Sequence, residues 1–169
     1  MKRLWLLRHA KSSWDDPDLP DVDRPLAPRG MEAVVAMAAH LEADGIRPAL
    51  VLCSGARRTR QTLAGVLPAL GGELEIRIEP ELYTFDADVL LARLRRVEER
   101  MPSAMLIGHN PAMQELALSL ASGGPRRADL EVKFPTGALA TIDLATDSWA
   151  EVRPENGQLV EFVAPRDLG

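Results

Sequence analysis

Three short apolar runs, each followed by a segment with helical periodicity, constrain the fold of this chain more than any other feature. The runs are residues 4–7, 50–53 and 104–107. Their length suits buried strands. Strands that alternate with helices are typical of a largely parallel sheet covered on both faces. The first run is followed by an apolar helix face between Pro28 and Gly45, and the third by Asn110 as a predicted N-cap with Pro111 in the first turn.

The middle and the last third of the chain complete this prediction. Residues 74–78 alternate as a strand does, and Asp86 opens a helix that carries Leu90, Leu94 and Val97. Residues 138–144 resemble a strand, and residues 149–152 and 159–163 flank Asn156-Gly157, a hairpin turn signal. We therefore predict one domain over residues 1–169, a three-layer α/β/α fold with a mostly parallel central sheet and antiparallel strands from the C-terminal third.

Charge and cysteine content narrow the function classes. The 169 residues carry 20 Lys and Arg against 25 Asp and Glu, a net charge of −5, so no global positive field is available to hold nucleic acid or an anionic membrane. Arginines on the helix after Asp86 alternate with Glu98 and Glu99 and have no aromatic platform, which indicates a solvated face. The single cysteine, Cys53, forms no internal disulfide, and the N-terminus lacks a signal-peptide core. We expect a cytoplasmic protein with no nucleic-acid or membrane partner.

Two of the three histidines follow predicted strands. Arg8-His9 ends the first apolar run and Gly108-His109 ends the third. Ligand sites in open α/β sheets form outside the carboxyl ends of the strands. Arg57 and Arg58 follow the second run at the start of a helix, where cations oppose the helix dipole and where an anionic ligand would resolve that conflict. The residues therefore predict a phosphoryl site made by Arg8, His9, His109 and one of the two arginines.

The chemistry of such a site needs no metal. A neutral imidazole can attack phosphorus in line while arginines neutralise the phosphoryl oxygens. A metal site on His9 and His109 has no third ligand at a recognisable spacing, so we expect no metal and no cofactor. In cysteine phosphatases an arginine stands six positions after the catalytic cysteine. Here the residue six positions after Cys53 is Thr59, so a cysteine phosphatase is excluded. Cys53 is expected to be a buried inert thiol, and His40 a structural residue.

Four ordered motifs between position 4 and about position 120 resemble the histidine phosphatase superfamily, the phosphoglycerate mutase-like proteins, and within it the small SixA-like phosphohistidine phosphatases. The motifs are residues 6–14, residues 23–26 with Arg29-Gly30, residues 54–58 with Gln61-Thr62, and residues 108–111. The resemblance implies that His9 is the phosphorylated nucleophile and that Arg8, Arg58 and His109 complete the phosphate pocket. It selects Arg58 over Arg57, and it implies a substrate contact for Arg24.

The chain departs from the superfamily's pattern at two points. Ala10 stands where most members have glycine, although SixA-like members often carry alanine there. Glu81 is the candidate general acid, but its surroundings match poorly. A P–N bond is labile without such an acid, so we predict a metal-independent phosphatase acting on protein phosphohistidine. Because the sheet and its helices use most of the chain, few residues remain for a lid, and we expect a shallow site. The alternatives are a small-molecule phosphomonoesterase of the same fold and a non-catalytic module that binds phosphoproteins. The expected partner is accordingly a phosphorylated protein or a small phosphorylated compound.

Overall fold

The computed structural model describes residues 1–169 and contains one six-stranded sheet in the order β3-β2-β4-β1-β5-β6. The strands are β1 (Lys2–Arg8), β2 (Leu50–Ser54), β3 (Glu75–Glu79), β4 (Ser103–Gly108), β5 (Leu139–Leu144) and β6 (Gly157–Val163). The helices are α1 (Pro28–Ala43), α2 (Arg57–Val66), α3 (Ala87–Leu94), α4 (Ala112–Leu120) and α5 (Arg127–Val132). Strands β1 to β4 are parallel to one another, and β5 and β6 are antiparallel additions. The predicted fold class is confirmed.

The alternating side chains of the buried strands explain the three layers. Leu4 and Leu6 of β1 pack in one apolar cluster with residues of α3, α4 and α5. Trp5 and Leu7 point to the opposite face and pack with residues of α1 and α2. Successive side chains of a strand point to opposite faces, so a strand between two helical layers must be apolar throughout. None of the helices combines the length and the apolar character needed to cross a membrane.

Two local predictions need correction. The predicted strand at residues 149–152 is a 3-10 turn at Trp149–Glu151, and β6 forms its antiparallel pair with β5. The turn forms because Trp149 is fully buried, its indole N–H donates to the Met101 carbonyl, and the Glu99 carboxylate accepts its backbone N–H. Helix α4 begins at Ala112, so Asn110 stands before the cap position, although its side-chain oxygen still accepts the Gln114 N–H.

Candidate active site

The carboxyl ends of β1 and β4 bring the two predicted site histidines together. The strands are parallel neighbours with Arg8 opposite Gly108, so His9 and His109 both follow the last paired residues. The His9 backbone N–H donates to the Gly108 carbonyl at 3.1 Å. The two imidazole centroids are 5.3 Å apart. The expectation that these histidines meet at one edge of the sheet is therefore correct.

A cavity of about 580 Å³ opens at this edge. Its lining residues are Arg8, His9, Lys11, Ser12, Trp14, Asp21, Arg24, Arg58, Tyr83, Phe85, His109, Asn110 and Thr136. Four of them are cations and one, Asp21, is a carboxylate. The cavity is thus a local positive site in a chain whose net charge is −5.

His9 is held as a neutral imidazole with a defined proton position. Its Nδ1 lies 2.6 Å from the Ala10 carbonyl oxygen, which can only accept, so the ring proton resides on Nδ1. Nε2 therefore keeps its lone pair and accepts the Arg58 Nε–H at 3.4 Å. Burial, followed by the charges of Arg58, Arg8 and Arg24, lowers the pKa of His9 to about 4, although the bond to Ala10 acts in the opposite direction. At neutral pH, Nε2 is an unprotonated nitrogen inside the cavity.

His109 is buried beside the Ser54 hydroxyl, with its Nε2 2.8 Å from Oγ. When Ser54 donates to Nε2, the proton of the neutral ring lies on Nδ1, a buried atom that has no partner in the protein. The edges of Tyr83 and Phe85 pack against the imidazole at centroid distances of 5.3 and 5.9 Å. Burial and the neighbouring His9 lower the pKa of His109 to about 3. His109 is thus a neutral ring whose buried Nδ1 has no partner in the protein.

Arg8 and Arg58 supply forked donors next to the histidines. Arg8 donates from Nη1 to the Phe134 carbonyl at 2.8 Å, while its buried Nε has no partner. Arg58, in the first turn of α2, is only 4% exposed and donates from both Nη atoms to Asp21. Buried polar atoms in proteins are normally hydrogen-bonded. Arg8 Nε and His109 Nδ1 depart from this rule, because neither has a hydrogen-bond partner in the protein.

Sequence reasoning missed Asp21, which lies in the 3-10 turn Asp21–Asp23 between β1 and α1. Its carboxylate accepts from Arg24 at 2.9 Å, from Arg58 at 3.0 Å and from the Tyr83 hydroxyl. Burial opposes the ionisation of Asp21, but these hydrogen bonds outweigh it and lower its pKa well below the usual range. Nothing in the local pattern distinguishes it, because the segment 15–23 contains five aspartates.

Arg24 lies in the cavity wall, as the sequence predicted for a residue near the substrate. Its Nε donates to the Ser13 carbonyl at 3.0 Å, and its guanidinium carbon stacks 3.2 Å from the centroid of Trp14. Arg24 therefore both lines the cavity and pairs with Asp21.

Other candidates lie outside the cavity. Glu81 is exposed on the turn Pro80–Leu82, whose neighbour Leu82 is buried, and it does not line the cavity. Arg57 is also exposed and reaches toward the Asp23 carbonyl. Cys53 is fully buried, and burial raises the pKa of its thiol to about 12. Arg58 therefore lines the cavity and Arg57 does not, and Glu81 has no contact with the site.

His40, expected to be a structural residue, lies outside the cavity and contacts two carboxylates. Its Nε2 contacts Glu161 at 2.9 Å and Asp44 at 3.4 Å. These three side chains form the one group of potential metal ligands in the structure whose ligand atoms lie within 4.8 Å of one another, and they do not line the cavity.

Arg93, one of the arginines predicted to lie on the solvated face of the helix after Asp86, is instead 5% exposed and paired with Glu79 at 2.6 Å.

Comparisons with known proteins agree with this geometry. Residues 4–111 match the sequence profile of the histidine phosphatase superfamily (branch 1). The chain is 37% identical to an uncharacterised protein of Mycobacterium tuberculosis over 164 residues, which cover 95% of this chain and 100% of that protein. A protein of Agrobacterium tumefaciens provisionally named phosphohistidine phosphatase SixA superposes with a TM-score of 0.82 at 31% identity, over 97% of this chain and 98% of that one. The protein histidine phosphatase SixA complexed with tungstate gives a TM-score of 0.79 at 26% identity, over 99% of both chains.

Proposed function

Since the chain belongs to the histidine phosphatase superfamily, branch 1, we propose that it hydrolyses protein phosphohistidine through a phosphoryl intermediate on His9. The observation that carries the proposal is the unprotonated Nε2 of His9 in a cavity that is also lined by the guanidinium groups of Arg8 and Arg58 and by His109. A nucleophile beside donors that await an anion is the arrangement that phosphoryl transfer requires.

The first step transfers the phosphoryl group to His9. The Nε2 lone pair forms a bond to phosphorus while the bond to the leaving nitrogen breaks. The substrate ring enters protonated on its other nitrogen, so the leaving nitrogen keeps the electron pair and the ring departs as a neutral imidazole. Arg8, Arg58 and the Nδ1–H of His109 hydrogen-bond to the three non-bridging oxygens and offset their charge. The Ala10 carbonyl holds the Nδ1 proton of His9 and stabilises the imidazole as it becomes positive.

The second step returns the enzyme to its starting state. A water oxygen attacks phosphorus, the N–P bond breaks, and Nε2 recovers its lone pair. Inorganic phosphate leaves with the oxygen and the protons of the water. Neither step uses a metal or a cofactor, because the guanidinium groups supply the positive charge.

The acid–base inventory of the cavity supports a P–N rather than a P–O substrate. Asp21 is the one carboxylate in the lining, and its lowered pKa keeps it ionised at neutral pH. Glu81 lies outside the lining. An alcohol leaving group needs a proton donor, whereas phosphohistidine releases an imidazole from a labile bond. The tungstate complex of a protein histidine phosphatase with the same fold also supports an oxyanion site and a protein substrate.

The proposal includes the setting of the reaction. We place the enzyme in the cytoplasm as one domain, with a phosphorylated protein as its partner. The buried, unpaired Cys53 is consistent with a reducing compartment. All four site residues depend on the single sheet, since they follow or end β1 and β4 or begin the helix after β2.

The test compares His9→Ala with His40→Ala on a phosphohistidine peptide. Removing the nucleophile should lower turnover by about 10³-fold or more, while His40→Ala should retain activity because His40 does not line the cavity. Wild-type activity should persist in EDTA. Full activity of a folded His9→Ala variant would contradict the mechanism, and loss in EDTA restored by a divalent ion would contradict the metal-free chemistry.

A labelled substrate separates the alternatives. An enzyme releases labelled phosphate and, on rapid quenching, carries an acid-labile and alkali-stable label on His9. A phosphoprotein-binding module would retain the intact labelled peptide. Faster turnover of sugar phosphates than of phosphohistidine peptide would favour the small-molecule phosphomonoesterase and would refute the proposed substrate.

A further inference from the structure

A second, smaller cavity beside the active site is surrounded by cations. It measures about 290 Å³, and Lys11, Arg29, Lys133 and Arg166 line it without any carboxylate. These four residues, here called the basic surface, come from the loop after β1, the first turn of α1, the end of α5 and the C-terminal 3-10 turn. All four are exposed. Only the folded chain brings them together.

The basic surface is unusual because its charges are uncompensated. None of its four side chains donates a hydrogen bond or joins an ion pair, whereas elsewhere arginines such as Arg77 and Arg100 share carboxylates. Asp129 and Asp167, the aspartates nearest in sequence to Lys133 and Arg166, both form ion pairs with Arg126. Three other cations, Arg47, Arg96 and Arg153, also make neither a side-chain hydrogen bond nor an ion pair, and they do not line this cavity. Two of the protein's three lysines are in the basic surface.

Such a cluster costs stability in the free protein. Like charges repel, and Arg29 adds a cation to the N-terminal end of α1, where the helix dipole disfavours it. The chain carries more acidic than basic residues, so carboxylates to neutralise the cluster are not scarce. A negatively charged binding partner would offset both costs.

The basic surface is continuous with the active site. Lys11 and Thr136 line both cavities, and Lys11 is two positions after His9. A polypeptide whose phosphorylated side chain enters the larger cavity therefore passes close to the basic surface. We propose that the basic surface docks an acidic segment of the phosphoprotein substrate next to the phosphorylated residue. This inference rests on the proposed function, since it names a feature of the same substrate.

The lining favours a protein segment over the other polyanions. No aromatic side chain lines the smaller cavity to stack on bases, and its apolar contribution is limited to Ala33, Ala164, Pro135 and Pro165. The smaller cavity also has no bulky apolar side chain to insert between lipids, as interfacial membrane anchors do. A peptide that carries exposed carboxylates can bind through ion pairs alone, and the exposed cations of the basic surface supply them.

The test uses two phosphohistidine peptides, one flanked by aspartate and glutamate and one by serine and glutamine. At low salt the wild type should show a kcat/KM about tenfold higher for the acidic peptide, as several screened charge pairs provide. The preference should vanish at about 1 M salt and in the double variant Lys133→Glu/Arg166→Glu. The matched control Arg96→Glu/Arg153→Glu reverses two exposed, unpaired cations elsewhere and should keep the preference.

Free phosphohistidine serves as the internal reference, because it reaches the catalytic residues without a flanking segment. All variants should hydrolyse it equally. If the wild type hydrolyses neither free phosphohistidine nor either peptide, the proposed function fails, and docking is still measured by fluorescence anisotropy with the unphosphorylated acidic peptide. Equal turnover of both peptides by the wild type, or a preference retained by Lys133→Glu/Arg166→Glu, would overturn the docking proposal. Tighter binding to phosphatidylserine vesicles than to the acidic peptide would replace it with a membrane surface.

Discussion

At the scale of single residues, the site depends on which ring nitrogen of each histidine is free. His9 places its proton against a backbone carbonyl and leaves Nε2 unprotonated in the cavity, while His109 contacts Ser54 through Nε2 and leaves Nδ1 without a partner. The two rings are therefore held by different nitrogens, and each leaves its other nitrogen uncommitted to a carbonyl or hydroxyl group. Burial keeps both rings neutral, which suits these roles.

The lowered histidine pKa values predict acid sensitivity of the fold. His9 and His109 have a pKa near 4 and 3 in the folded protein against 6.5 for the ordinary group, so the unfolded chain binds more protons below pH 6.5. The stability that each neutral ring contributes is complete above pH 6.5 and is lost as the pH falls through the folded pKa. For His9 alone this amounts to about 3 kcal/mol.

Denaturant unfolding at pH 7 and pH 4 measures this loss. The free energy of unfolding should fall less between these pH values in His9→Gln than in the wild type, since the variant lacks one of the two rings. Equal falls in both proteins would show that His9 does not titrate with a lowered pKa.

Asp21 is expected to act as a positioning residue for Arg58. In Asp21→Asn, the Arg58 guanidinium loses a charged acceptor, and the cavity loses its one negative charge. We predict that kcat falls about tenfold, the cost of a misplaced transition-state donor, while inhibition by inorganic phosphate becomes stronger. Asp23→Asn, an exposed change on the same turn, is the control. Weaker phosphate inhibition in Asp21→Asn would show that Asp21 does not oppose the anion.

At the scale of elements, the loop from β1 to α1 is the part that completes the site. It contributes Lys11, Ser12, Trp14, Asp21 and Arg24 to the cavity lining. The loop folds back on itself where the Lys11 carbonyl accepts the Ala27 N–H and Ser12 pairs with Leu26. The expectation was a shallow site without a large lid. The structure adds that the loop from β1 to α1 forms one wall of the cavity.

Gly30 permits this close approach, which makes it a test of the loop. A Cβ at Gly30 would lie 3.0 Å from the Lys11 carbonyl carbon and closer still to its oxygen, and both are backbone atoms that cannot yield easily. Gly30→Ala should lower the free energy of unfolding by about 2 kcal/mol and reduce turnover by shifting Arg24. Gly55→Ala, whose Cβ would meet Pro80 at an ordinary 3.5 Å, should do neither. Equal unfolding midpoints for the two variants would contradict this account.

At the scale of the whole molecule, the site joins parts of the chain that are far apart in sequence. Arg8 contacts Phe134, Arg58 contacts Asp21, and Tyr83 contacts the same aspartate. The central position of β4 and β1 in the sheet puts these contacts above the two apolar clusters, which fix the strand ends. An anion bound by these groups therefore links several segments and should stabilise the entire fold.

Tungstate provides that measurement. A ligand that binds only the folded state stabilises it by about 2.7 kcal/mol at a concentration of 100 times Kd, so Tm should rise with tungstate concentration. The rise should be absent in Arg58→Ala and retained in Arg153→Ala, a change at an exposed arginine outside the cavity. An equal rise in Arg58→Ala would show that the oxyanion binds elsewhere.

The sequence alone determined the layered fold and the core of the candidate site, because these depend on local signals. Apolar runs predict buried strands, and Arg8, His9 and His109 stand where such strands end. Residue types within a few positions of one another carry this information. The same signals failed at residues 149–152, where the burial of Trp149 against Met101 outweighs the strand pattern.

Only the tertiary structure shows which of the five aspartates of residues 15–23 lines the cavity, namely Asp21. It also shows that Glu81 lies outside the cavity and that the four cations of the basic surface lie together. These outcomes depend on residues tens of positions away: Asp21 accepts a hydrogen bond from Tyr83, and Lys11 and Lys133 line one cavity. The local sequence around a carboxylate or an ammonium group is the same whether the folded protein places a partner or water next to that group. Its function is decided by what the fold places next to it, and that is a property of packing rather than of local sequence.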